Sequence, residues 1–146
     1  MEPAALLLER GVRPTPLRKT TVSLLFEAGI PLSLKTLSDR FPGKRPDRVS
    51  LYRTLGLLEL KGIVHKVLGA DSVWRYCAHP PEKTGCPGNH AHFLCLACGE
   101  MLCLRDQQIP VVRLPDGYVV EGKQLLAYGL CPDCSSSGKS ASQAGS

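Results

Sequence analysis

Asp47-Arg-Val-Ser-Leu-Tyr-Arg-Thr-Leu-Gly-Leu-Leu-Glu-Leu-Lys-Gly62 is the stretch on which the fold turns. Asp47 suits a helix N-cap, where its carboxylate accepts the first free backbone N–H groups. Leu51, Leu55 and Leu58 then recur at the spacing of one helical face. Gly62 suits a left-handed C-terminal cap. The opposite face carries Arg48, Ser50, Tyr52 and Arg53 near the N-terminal end, where a recognition helix holds the side chains that meet bases and phosphates.

Upstream of this stretch, Thr15-Pro16 signals a helix start, with Thr15 as N-cap and Pro16 at the first position, where its missing N–H costs nothing. Leu17, Thr21, Leu24 or Leu25, and Ala28 follow at helical spacing up to Gly29. Ser33 caps a shorter helix with Leu34, Leu37 and Phe41 on one face, ended by Pro42-Gly43. Beyond Gly62, residues 63–68 and 72–77 are β-patterned and joined through Gly69-Ala70-Asp71. Three short helices and a β-hairpin predict a winged helix-turn-helix in residues 1–78.

Charge supports that reading. The 146 residues carry a net +5. Residues 1–70 contain twelve basic and six acidic side chains, a net of +6, and no cysteine; residues 71–146 have a net of −1 with all seven cysteines. A basic surface alone is weak evidence, since many solvated faces are mildly basic. Joined to the order of elements it favours DNA, with Arg18 and Lys19 as backbone anchors beside the recognition-helix residues. No apolar run reaches the roughly 18 residues of a membrane span. The N-terminus, with Glu2, Glu9 and Arg10 around Leu6–Leu8, does not read as a secretory signal. A cytoplasmic protein without a small-molecule substrate is expected, and an odd cysteine count in that reducing setting points to metal rather than disulfides.

Cys95-Leu-Ala-Cys98 and Cys131-Pro-Asp-Cys134 are two C-x-x-C knuckles with 32 residues between them. Together they offer four thiolates to one tetrahedral ion, which suits zinc and leaves no open coordination position. The alternatives are a redox pair or unrelated buried cysteines. Residues 79–134 would form a small domain stapled by this Cys₄ site. Within it, 102–104, 109–114, 118–121 and 125–128 look like strands, with room for a short helix. The Gly/Ser-rich tail, 135–146, reads as disordered. His90 and His92 share a face if they lie on a strand. With Cys77, His79 and Cys103 they form a second candidate set of nitrogen and sulfur ligands, which favours zinc over iron(II) or manganese. Against this, histidines can be loop-exposed and buried cysteines are often small core hydrophobes.

The run Arg48-Val-Ser-Leu-Tyr-Arg-Thr-Leu55 with Lys61-Gly-Ile-Val64 resembles the recognition helix of the ferric uptake regulator superfamily. His90-Ala-His92-Phe-Leu-Cys95-Leu-Ala-Cys98-Gly99 is similar to that family's metal-binding strand and first knuckle, and Leu126-Ala-Tyr-Gly-Leu-Cys131 to its last strand and second knuckle. The resemblance runs from about Gly11 to Cys134. It implies an α+β homodimer: an N-terminal winged helix and a C-terminal α/β dimerisation domain, repressing transcription from an inverted-repeat double-stranded DNA operator. It implies a structural zinc on Cys95, Cys98, Cys131 and Cys134 and a sensing site at the hinge between domains.

Two departures from the family matter. Cys77 and Cys103 stand where carboxylate ligands are common. Pro31-Leu32 stand where a histidine is expected, and Lys123 replaces another. Thiolates in place of hard carboxylates shift preference toward zinc, so the resemblance is strongest to zinc uptake regulators, with one structural and one regulatory zinc per protomer. Cys86 has no assigned role. A redox- or iron-responsive regulator, and a zinc-ribbon module binding nucleic acid without metal sensing, are the competing readings. A zinc deaminase is disfavoured because no H-x-E…P-C-x-x-C arrangement exists.

Overall fold

A computed structural model describes residues 2–80 and 90–139. The chain divides into two compact units, Met1–Cys86 and Pro87–Ser146. The division falls at 86/87, and the boundary expected from sequence was 78/79. Cys86 itself lies outside the described residues.

The first unit holds α1 (Pro3–Glu9), α2 (Pro16–Ala28), β1 (Leu32–Ser33), α3 (Leu34–Asp39), α4 (Arg48–Leu60), β2 (His65–Leu68) and β3 (Trp74–Cys77). The caps read from sequence are all in place. The Thr15 side chain accepts from the Arg18 N–H, Ser33 from Thr36 and Asp47 from Ser50, and Gly29 closes α2 in the left-handed region. Leu51, Leu55 and Leu58 are fully buried with Val22, Leu25 and Leu37 in one core. Phe41 lies beyond the end of α3, which stops at Asp39, yet still packs against that core.

Two features differ from the three-helix expectation. An additional helix, α1, precedes the winged-helix core: Glu2 caps it, Pro3 starts it, and Leu6 and Leu7 enter the core. Its seven residues are short for a periodicity signal, and packing rather than intrinsic propensity holds such a helix. The hairpin also gains a third strand, giving the antiparallel order β1-β3-β2. The turn between β2 and β3 is fixed by Asp71, whose two carboxylate oxygens accept from the Arg75 guanidinium at 3.0 and 2.8 Å. That bidentate pair is largely buried on the arginine side and spans a left-handed Ser72. It holds the Asp71 carboxyl below the usual carboxylate range.

The second unit is a three-stranded sheet with β4 (His90–Cys95) at its centre, followed by α5 (Pro132–Ser136). β4 pairs antiparallel with β5 (Met101–Gln108) and parallel with β6 (Leu126–Gly129). Residues 109–114 and 118–121, expected as strands, have no regular structure. Their apolar, β-branched composition imitates a strand, but Pro110 and Pro115 offer no N–H to a ladder. α5 continues to Ser136, so regular structure enters the stretch read as a disordered tail. Among the described residues no helix is long and apolar enough to cross a membrane.

Candidate metal centre and nucleic-acid interface

The knuckles meet because of strand direction. β4 ends at Cys95 and turns through Leu96–Cys98. β6 runs parallel beside it, with Gly129 opposite Cys95 and the Leu96 N–H donating to the Gly129 carbonyl at 2.7 Å. Both strands therefore deliver their C-terminal ends, and the knuckle that follows each, to the same end of the sheet. The sulfurs of Cys95, Cys98, Cys131 and Cys134 all lie within 4.8 Å of one another, with Cys98 and Cys131 at 4.0 Å. Tetrahedral ligation at a metal–sulfur distance of about 2.3 Å separates sulfurs by roughly 3.8 Å, so the cluster fits a zinc ion with small adjustments.

The electrostatics agree. Burial opposes ionisation of Cys95, but backbone N–H groups of Cys98, Cys131 and Ala97 outweigh it and bring this thiol down to about 6. Burial and the neighbouring sulfurs push Cys134 up to about 12, and burial also raises Cys98. Four thiolates this close cannot ionise together unless a cation neutralises them.

The histidines lie on the same strand. Alternation places His90 and His92 on the face of β4 opposite Cys95, so they belong to a separate cluster. Their rings are 4.5 Å apart, both are buried, and His92 sits directly across from Cys103 in the β4–β5 register. Both ring nitrogens of His92 are buried and have no hydrogen-bond partner among the described residues. A buried imidazole left this way costs free energy unless something ligates it. In the first unit, Cys77 ends β3, buried, and His79 follows, half-buried. His65, which sequence reasoning passed over, is paired directly with Cys77 across the β2–β3 hairpin. Its signal was available only through register, since eleven residues lie between the two in the chain.

On α4, Arg48, Tyr52 and Arg53 are exposed on one face, joined by Val49 and Gly56. Ser50 is exposed too, but its backbone N–H and hydroxyl both donate to the Asp47 carboxylate at 3.0 and 3.1 Å, so this side chain serves the cap. Arg18 is half-buried and donates to the Arg13 carbonyl at 2.9 Å, which ties it to the segment before α2, while Lys19 is exposed. A basic helix face followed in the chain by a β-hairpin wing, and a four-sulfur centre on a separate sheet, form one recognisable combination.

The sequence model of the ferric uptake regulator family matches residues 9–114, well over half the chain. The chain belongs to the ferric uptake regulator family. It is therefore a metal-responsive, DNA-binding transcriptional regulator and not an enzyme. Among curated relatives, the transcriptional regulator FurA of Mycobacterium tuberculosis is 31% identical over 110 residues, covering 70% of this chain and 69% of its own. The crystal structure of holo XcZur is 26% identical with a TM-score of 0.55, covering 88% of this chain and 91% of that one. A zinc uptake regulator complexed with zinc and DNA shares the fold at 20% identity with a TM-score of 0.61, over 92% of this chain and 91% of that one.

Proposed function

We propose that this family member is a zinc-responsive repressor, a cytoplasmic homodimer that binds an inverted-repeat operator in double-stranded DNA. In this reading Cys95, Cys98, Cys131 and Cys134 hold a structural zinc, and a second, regulatory zinc is held by His90, His92 and Cys103. The wing end supplies the remaining ligand from Cys77, His79 or the cross-strand His65. The observation that carries the proposal is His92: a buried imidazole with both nitrogens unpartnered among the described residues, facing a cysteine, beside a second buried histidine. Nitrogen and sulfur donors favour zinc over iron(II) or manganese. The bound ion would supply charge neutralisation and cross-linking and no redox chemistry.

The chain's own residues account for the response. Arg48, Tyr52 and Arg53 face outward to meet the major groove, with Lys19 toward the phosphate backbone. Two recognition helices must stand about one helical turn of DNA apart. Ligands drawn from the wing end as well as from β4 and β5 would bias a dimer toward that spacing. The second unit also exposes a run of large apolar side chains, including Val111, Val112, Tyr118, Val119 and Val120, of the kind a partner subunit covers. The zinc-and-DNA complex of the similarly folded regulator supports this reading.

The test is a zinc titration of dimer that retains only its tightly held metal, with operator binding followed by fluorescence anisotropy. Zinc should raise affinity steeply, and Cys103→Ser should remove the rise without unfolding the protein. Operator affinity indifferent to zinc sinks the sensing assignment. An equal response to iron(II) overturns the choice of metal.

A further inference from the structure

Arg10 belongs to the basic half, and its charge invites a role on DNA phosphate. Its hydrogen bonds point elsewhere. The Nη1 group donates to the carbonyls of Lys61 and Gly62, at 3.2 and 3.4 Å. Those carbonyls stand at the C-terminal end of α4, where the last turn of any helix leaves acceptors unpaired and concentrates negative partial charge. The chain's own closure of this end uses other acceptors: the N–H groups of Gly62, Ile63 and Val64 go to Glu59 and Leu58. Arg10 therefore adds bonds that α4 does not make for itself.

The residue is also anchored from its own side. Arg10 caps α1, Gly11 turns in the left-handed region, and Val12 donates back to the Leu7 carbonyl at 2.8 Å. Leu6, Leu7 and Val12 are buried in the same core as Leu58 of α4. Close approach at the junction is part of the arrangement: a Cβ at Gly62 would sit 3.3 Å from the Arg10 Nη1 group. Helix α1, outside the three-helix core, is thus coupled by one guanidinium to the far end of the helix whose N-terminal half carries Arg48, Tyr52 and Arg53.

We infer that Arg10 is a positioning residue: it clamps the C-terminal end of α4 and so fixes the angle at which the recognition face meets DNA, without touching DNA itself. The inference rests on α4 being the recognition helix. A clamp can shift binding only by the free energy it gives the competent orientation. For a cation at an exposed helix end that is roughly a twofold to fivefold factor per protomer, hence about fourfold to 25-fold for a dimer with two clamps.

The experiment compares full-length, zinc-loaded wild type with Arg10→Ala, Arg10→Lys and Arg53→Ala. The probe is a duplex of about 30 base pairs, selected by the wild type from a random pool and long enough for two half-sites one helical turn apart. Binding is read at several salt concentrations and well below every variant's melting temperature. Arg10→Ala should lose affinity within the stated range at an unchanged salt slope, and Arg10→Lys should recover part of it. Arg53→Ala should lose both affinity and slope, which separates failure of the recognition-helix assignment from failure of the clamp. A salt slope that falls by about one ion per protomer in Arg10→Ala shows Arg10 on a phosphate and overturns the inference. Unchanged affinity with a lowered melting temperature makes it a fold-stabilising cap only, and overturns it equally.

Discussion

Replacing His92 by Leu should stabilise the protein when only the Cys₄ zinc is present, the opposite of what a core histidine would do. A neutral imidazole carries one donor and one acceptor. Both His92 nitrogens are buried and unpartnered among the described residues. Each such group costs about 1–3 kcal/mol, and the costs do not simply add. Leu covers similar ground with no polar atom, so removing the unpartnered nitrogens gains about 1–3 kcal/mol, from which imperfect packing of the new side chain subtracts up to about 1.5 kcal/mol. For a unit of roughly 60 residues, 1 kcal/mol corresponds to about 4–8 °C in melting temperature. Scanning calorimetry with the regulatory site stripped should therefore show the β4 sheet melting higher in His92→Leu, by about 4–8 °C for each kcal/mol of net gain. The same variant should hold one zinc fewer and bind operator without regard to added zinc. A variant that melts lower than wild type and still takes up two zinc ions would show that His92 is a packing residue, and the sensing assignment would fall with it.

Three further outcomes follow from the same geometry. Cys134→Ser should release the structural zinc and unfold the second unit, because metal binding at such sites contributes on the order of 10 kcal/mol to folding; circular dichroism should still show the helices of the first unit. Asp71→Asn should destabilise the wing by about 1–3 kcal/mol by leaving the Arg75 guanidinium without its carboxylate. The Arg75 partner lowers the folded Asp71 value, so this contribution is complete above about pH 4 and is lost as pH falls through the lower folded value; acid titration of wild type against Asp71→Asn reads the difference. Arg53→Ala should weaken operator binding and reduce the salt slope by about 0.9 for each phosphate left without its cation, as measured by anisotropy over roughly 50–200 mM salt.

Much of the first unit was legible because its information is local. Thr15, Ser33 and Asp47 cap helices through hydrogen bonds to N–H groups three residues on, and Gly29 and Gly62 take up positive φ at helix ends. Leu51, Leu55 and Leu58 announce a buried stripe through spacing alone. The knuckles were equally plain, since each pair of cysteines is closed within four residues. What escaped is non-local. The pairing of His65 with Cys77 depends on hairpin register, and a slip of one residue would put the two on opposite faces. The parallel placement of β6 beside β4, which brings the knuckles together, cannot be read from either strand. Residues 109–121 misled for the converse reason: valines on both sides of Pro115 have strand composition, but the prolines deny a continuous ladder. Ser50 and Arg18 look like DNA-binding side chains by residue type, and only their bonds to Asp47 and Arg13 reveal their structural duties.

In the proposed function one chain holds two zinc ions of different kinds, one closed into the fold by four sulfurs and one that controls DNA binding. Metal content per protomer, measured by mass spectrometry before and after mild chelation alongside operator affinity, tests it most directly. Two zinc ions should fall to one, operator binding should vanish with the second, and added zinc should restore both. Loss of all metal in a single step, or operator binding that persists at one zinc per protomer, would contradict the account.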